Sequence, residues 1–107
     1  MAGSIIVSRG VLISLNTMGL YYLIERIRVE FGDEDNVYRT RIYERLDEQG
    51  MPFIALDEQD SQGFNAFVTA TKRAYDKERK QASFCEPLWS DLRNKLVSDP
   101  RYAGDIF

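Results

Sequence analysis

The sequence predicts a mostly α-helical α+β fold, with about four helices, a small N-terminal strand or hairpin and a short strand near 53–56. Three observations predict it. Apolar residues recur at helical spacing in four separate windows. β-branched residues crowd the first dozen or so positions. The three prolines, Pro52, Pro87 and Pro100, each fall near an expected element boundary. With 107 residues, no internal repeat and no Pro- or Ser-rich linker, the chain reads as a single compact domain over 1–107.

The opening run Ile5-Ile6-Val7, the break Ser8-Arg9-Gly10 and the run Val11-Leu12-Ile13 read as a hairpin or as a strand with a bulge. From Asn16 the period changes. Leu20, Leu23, Ile24, Ile27 and Phe31 share one helical face, with Asn16 or Thr17 placed to cap the start and Gly32 to end it. A second helix is expected from Asp35-Asn36 to Gly50, with Tyr38, Ile42 and Leu46 on one stripe and an acidic entry that suits the helix dipole. Pro52 is followed by Phe53-Ile54-Ala55-Leu56, too short for a helix, which reads as a buried strand paired with the N-terminal run.

Asp57 to Ser61 supplies cap residues for a third helix, which aligns Phe64, Phe67, Val68, Thr71 and Tyr75 and ends in Lys77, Arg79 and Lys80. The last helix starts either at a capping box from Ser83 to Glu86 or at Pro87, and lines up Leu88, Leu92 and Leu96 with Trp89 and Phe84 nearby. Asp99-Pro100-Arg101-Tyr102 reads as a turn. Beyond it, Ile106-Phe107 either folds back onto the body or faces a partner.

Histidine is absent, which removes the commonest general base near neutral pH and every Ser-His-Asp or Cys-His arrangement. The single Cys85 cannot form an internal disulfide, and its neighbours Phe84 and Glu86 disfavour a thiolate, so it reads as a small buried hydrophobe. Glycine-rich phosphate loops are missing. Neither Asp33-Glu34-Asp35 nor Asp57-Glu58-Gln59-Asp60 has the alternating ligands and central glycine of a calcium loop. The expectation is a protein that is not an enzyme and needs no metal or cofactor. Ser4 to Ile24 is the one stretch with the look of a membrane or export segment, but Arg9, Asn16 and two glycines interrupt it, so it reads as core and no membrane association is expected. With one cysteine and no export signal, the expected compartment is the cytoplasm.

Charge distribution is the sharpest functional signal. Residues 1–29 carry a net +2 and residues 61–107 a net +2, whereas residues 30–60 carry ten acids against Arg39, Arg41 and Arg45, a net −7 inside an overall −3. An acidic surface there steers a positively charged partner, while its plain alternative is a solvated face that aids solubility. The candidate partner-binding residues are Asp33, Glu34, Asp35, Asp47, Glu48, Asp57, Glu58 and Asp60. Tyr43 joins them as an exposed aromatic anchor, since it lies off the Tyr38/Ile42/Leu46 line among charged positions. The basic run Lys72 to Lys80 raises nucleic-acid binding, but Asp76 and Glu78 dilute it and a pI near 4.9 works against phosphate attraction, so it reads as a solvated helix end.

In size, compactness, acidity and lack of catalytic equipment, the chain resembles the small cytoplasmic immunity or inhibitor proteins that shield a cell from a basic toxin, a likeness of profile and not of any segment. What the resemblance implies is a protein partner with a basic surface, such as a toxin nuclease, covered by the acidic 30–60 region. The alternative is a structural or regulatory subunit that self-associates as a homo-oligomer through the N-terminal strand edge or the Ile106-Phe107 tail. Nucleic-acid binding through Lys72–Lys80 is the third reading.

Overall fold

Alternation in the first sixteen residues builds the sheet. In a computed structural model, which describes residues 2–82, 84–104 and 106–107, strands β1 (Ala2–Ser8) and β2 (Val11–Asn16) form an antiparallel hairpin. Gly10 takes the turn position with φ +81°, which a side chain would strain. The register slips between Ile6 and Ser8, so hairpin and bulge are both present. Strand β3 (Phe53–Ala55) pairs parallel with β1, Ile5 opposite Ile54, as the sequence predicts. The order β2-β1-β3 makes β1 the middle strand, so the N-terminal strand has no free edge; the open hairpin edge is that of β2.

Ile5, Val7, Ile13, Leu15 and Ile54 point into a core closed by helices α1 (Thr17–Arg28), α4 (Ser61–Glu78) and α5 (Glu86–Val97). Gly3 admits this closure. A Cβ there would lie 2.8 Å from the Pro52 carbonyl oxygen and collide with Leu20. Asn16 caps α1 by accepting from the Gly19 N–H at 2.7 Å, and α1 stops at Arg28, before the expected end at Gly32, while Phe31 remains buried.

The expected second helix is broken. A 3-10 turn (Asp33–Asp35) leads into α2 (Asn36–Ile42), and after Tyr43 the chain resumes as the single turn α3 (Glu44–Asp47). Ile42 and Tyr43 are both buried, and neighbouring residues lie about 100° apart around a straight helix. Bending at Tyr43 lets both side chains reach the core. Tyr38 and Leu46, placed on the buried stripe by the sequence, are only half-buried.

Helix α4 follows its predicted stripe, with Phe64, Phe67, Val68 and Thr71 buried and Tyr75 half-buried. In α5, Glu86 is the first residue and Pro87 the second; the expected capping box involves Ser83, which lies outside the described residues. Trp89, Leu92 and Leu96 are buried while Leu88 is half-buried, so the face is turned toward Trp89, whose indole N–H donates to the Tyr22 hydroxyl at 3.1 Å. Cys85 stands before α5 and is half-buried, more open than expected of a core thiol. Ile106 and Phe107 pack back on the core: the Phe107 ring sits 6.0 Å from Tyr75 and its N–H donates to the Tyr102 hydroxyl at 2.8 Å.

One arginine ties the layers together. Arg101 donates to the carbonyls of Leu56 (2.7 Å), Gln59 (2.8 Å) and Val7 (2.8 Å) and forks onto the Asp99 carboxylate at 2.9 Å, with its guanidinium 4.3 Å from the Phe64 ring.

Candidate partner-binding surface

The acids of residues 30–60 come to the surface in three places. Asp33, Glu34 and Asp35 form the 3-10 turn, with Asp33 and Glu34 exposed. Glu34, Asp35, Tyr38, Gln62, Asn65 and Thr69 line a cleft of about 430 Å³ between this turn, α2 and α4, held by a 3.0 Å bond from the Tyr38 hydroxyl to Gln62. Among the described residues, no ion pair reaches Asp33, Glu34 or Asp35.

Glu44, Asp47 and Glu48 border a second cleft of about 350 Å³ whose other walls include Arg28, Arg39 and Thr40. Here Asp47 is already engaged. Arg28 lies 3.0 Å from Asp47 and 3.3 Å from Glu25, with its guanidinium 4.4 Å over the Tyr43 ring, which forms the floor. Glu44 and Glu48 have no ion pair among the described residues.

The third group follows β3. Asp57 is exposed beside Ser8, Arg9 and Pro100, and Glu58 extends into solvent with only a 3.9 Å approach to Arg45. Asp60 has a structural task, since its carboxylate accepts from the Gly63 N–H at 2.8 Å and caps α4. Asp60→Ala is therefore expected to lower stability by about 1 kcal/mol, read as a shift in the urea midpoint.

Tyr43 corrects the sequence reading. Its side chain is 1% exposed, its hydroxyl donates to the Ile24 carbonyl at 2.6 Å, and its ring meets Phe31 edge-on at 6.4 Å. Burial pushes its phenol far above the usual range, so it remains a protonated donor. It organises the surface from beneath, and does not protrude from it.

The basic run is largely spoken for. Lys72 pairs with Asp76 at 2.5 Å, Lys77 with Glu30 at 2.8 Å, and Arg73 donates to the Glu30 carbonyl at 3.1 Å. The contacts of Lys77 and Arg73 with Glu30 tie α4 to the chain just after α1, the Lys72 pair lies within α4, and together they disperse the positive field.

Two residues that shape the surface escaped the sequence reading. Arg28 had a visible cue, an i,i+3 spacing from Glu25 at the basic end of α1. Arg101 had none beyond its turn partner Asp99, because the three carbonyls it binds lie 42 to 94 residues away.

The site is thus a small α+β domain that carries the acids of residues 30–60 in three surface groups, in a sequence without histidine. No family model matches the chain. It is similar to the immunity protein CdiI of Burkholderia pseudomallei, with 33% identity over 103 residues and 94% of each chain covered. The fold matches a chain in the solved complex of the CdiA-CT toxin from Burkholderia pseudomallei E479 with its cognate CdiI immunity protein. That match has a TM-score of 0.91 and 32% identity over 95% of this chain and 100% of the other. The chain belongs to the CdiI family of immunity proteins and is not an enzyme.

Proposed function

We propose that the chain neutralises a CdiA-CT toxin in the cytoplasm by binding it directly, and that its exposed acids face a basic surface of that toxin, such as the substrate cleft of a nuclease. The observation that carries this reading is the match along nearly the whole chain to an immunity protein, with a solved relative in complex with its cognate toxin. The electrostatic part is supported by Asp33, Glu34, Asp35, Glu44, Glu48 and Asp57, which have no internal ion pair among the described residues and are free to meet partner cations. Asp47 and Asp60 are already partnered and add mainly to the field, while Glu58 extends into solvent with only its 3.9 Å approach to Arg45.

The test is association with the CdiA-CT toxin of the same host at low and high salt. The unmodified chain is expected to form a stoichiometric complex and to restore growth of cells expressing the toxin. In the triple variant Asp33→Asn, Glu34→Gln, Asp35→Asn, the association rate at low salt should fall about tenfold and its salt dependence flatten, with the melting temperature retained. An unchanged rate would discard the electrostatic docking; absence of any complex or rescue would discard the reading as a whole.

A further inference from the structure

We infer that Arg41 on helix α2 is the specificity residue of the toxin interface, pairing with a carboxylate that the cognate toxin sets among its basic residues. This rests on the proposed function. Helix α2 buries only Ile42 of its seven residues, whereas α1 buries four of twelve and α4 eight of eighteen. Its outer side carries Val37, 57% exposed, in a groove of about 310 Å³ shared with Asn36, Thr40 and Arg41. Arg41 is exposed, no acid lines its groove, and among the described residues it has neither an ion pair nor an aromatic ring as partner. In a straight helix Glu44 would be its i,i+3 partner. The break at Tyr43 places Glu44 on the neighbouring cleft instead, where it faces Arg28 and Arg39.

Geometry and charge decide what meets this guanidinium. Acids without an ion pair among the described residues stand at both ends of α2: Asp33, Glu34 and Asp35 before it, Glu44 and Glu48 after it. Only Arg39 and Arg41 oppose these five, since Asp47 is held by Arg28 and Arg45 is approached by Glu58, so the surface around α2 stays acidic. Seven helical residues span only about 10 Å, and a stable interface takes ~800 Å² per partner. A basic toxin surface that engages both acid groups therefore covers α2 and Arg41 between them. A uniformly basic surface would repel the guanidinium, and covering it without a partner would strip it of water. A carboxylate opposite it removes both costs, and the planar fork of arginine matches that group. The same device rejects a toxin that carries a base there. A second copy laid on α2 would set one acidic surface against another.

The experiment compares Arg41→Glu with Arg9→Glu for binding to the CdiA-CT toxin of the same host. Both changes make the chain more acidic by the same amount, and Arg9 is exposed in the turn between β1 and β2. A toxin drawn by negative charge alone would bind Arg41→Glu as well as the unmodified chain or better. The expected result is the reverse: Arg41→Glu weakens binding at least tenfold with its melting temperature unchanged, and Arg9→Glu binds at least as well as the unmodified chain. Arg41→Lys, which keeps the charge without the fork, should recover part of the loss. If the unmodified chain binds and Arg41→Glu binds within twofold of it or more tightly, Arg41 meets no toxin carboxylate. A loss of equal size in Arg9→Glu would overturn the assignment to α2. A concentration-dependent mass of the chain alone that Arg41→Glu abolishes would make a second copy the partner and overturn the inference. Failure of the unmodified chain to bind the toxin overturns the functional reading first, and this inference with it.

Discussion

Arg101→Ala is expected to cost about 3–5 kcal/mol of stability, because it leaves an almost fully buried carboxylate without its cation. The Asp99 side chain is 4% exposed and that of Arg101 18%. The same change frees three carbonyls, those of Val7, Leu56 and Gln59, at the junction of β1, β3 and α4. A domain of this size has roughly 5–15 kcal/mol in total, so the loss is a large share of its stability. Urea titration at neutral pH should show a much lower midpoint with an unchanged slope. Arg101→Lys should recover little of this, since one ammonium cannot span the fork.

The pH dependence has a defined sign. Arg101 holds the folded Asp99 carboxyl below the usual carboxylate range by hydrogen bonds and charge, against the opposing effect of its burial. A depressed folded pKa means that the stabilisation is complete above the unfolded value, about 3.9, and is lost as pH falls through the folded one. Acid titration of the unmodified chain should therefore show this loss only below about pH 4. In Arg101→Ala this acid-linked loss should be largely absent, because the guanidinium that depresses the folded Asp99 pKa is gone.

The second large effect is at Tyr43. Tyr43→Ala removes a fully buried ring that contacts Phe31 and supports Arg28, and is expected to cost about 3–5 kcal/mol. Tyr43→Phe keeps the ring and removes only the bond to the Ile24 carbonyl, for about 0.5–1.5 kcal/mol. These values separate a core role from a contact role. As a core residue, Tyr43→Phe lowers the melting temperature while the folded protein binds toxin with unchanged affinity. Were Tyr43 a contact anchor, the order would reverse, with affinity lost and the fold unaffected.

Periodicity was legible wherever a single stripe meets a single core. The α1 face from Leu20 to Ile27 and the α4 face from Phe64 to Thr71 are buried as their spacing predicts, and β3 pairs with β1 because both offer short apolar runs. Helix α2 misled for a physical reason. Tyr38, Ile42 and Leu46 make an acceptable stripe alone, but the core takes Ile42 and Tyr43 together, and that choice is made by α1, through the Ile24 carbonyl. The same limit applies to the acids. Sequence shows their concentration between 30 and 60, but whether an acid is free or partnered depends on cations elsewhere: Arg28 for Asp47 and Lys77 for Glu30. Arg101 was least legible, since a guanidinium that binds three distant carbonyls leaves no pattern along the chain.

The bond from Arg101 to Val7 joins positions 94 residues apart, and that separation sets an order of events. Hairpin β1–β2 and the helices need only local closure, on the scale of about 0.1–10 μs. The β1–β3 pairing and the Arg101 bonds must first overcome the entropy of closing long loops. The segment from Leu56 to Asp60, whose backbone Arg101 holds, is thus expected to settle last during folding. A newly made chain would display its hairpin early and its third group of acids only once the 99–101 turn has docked.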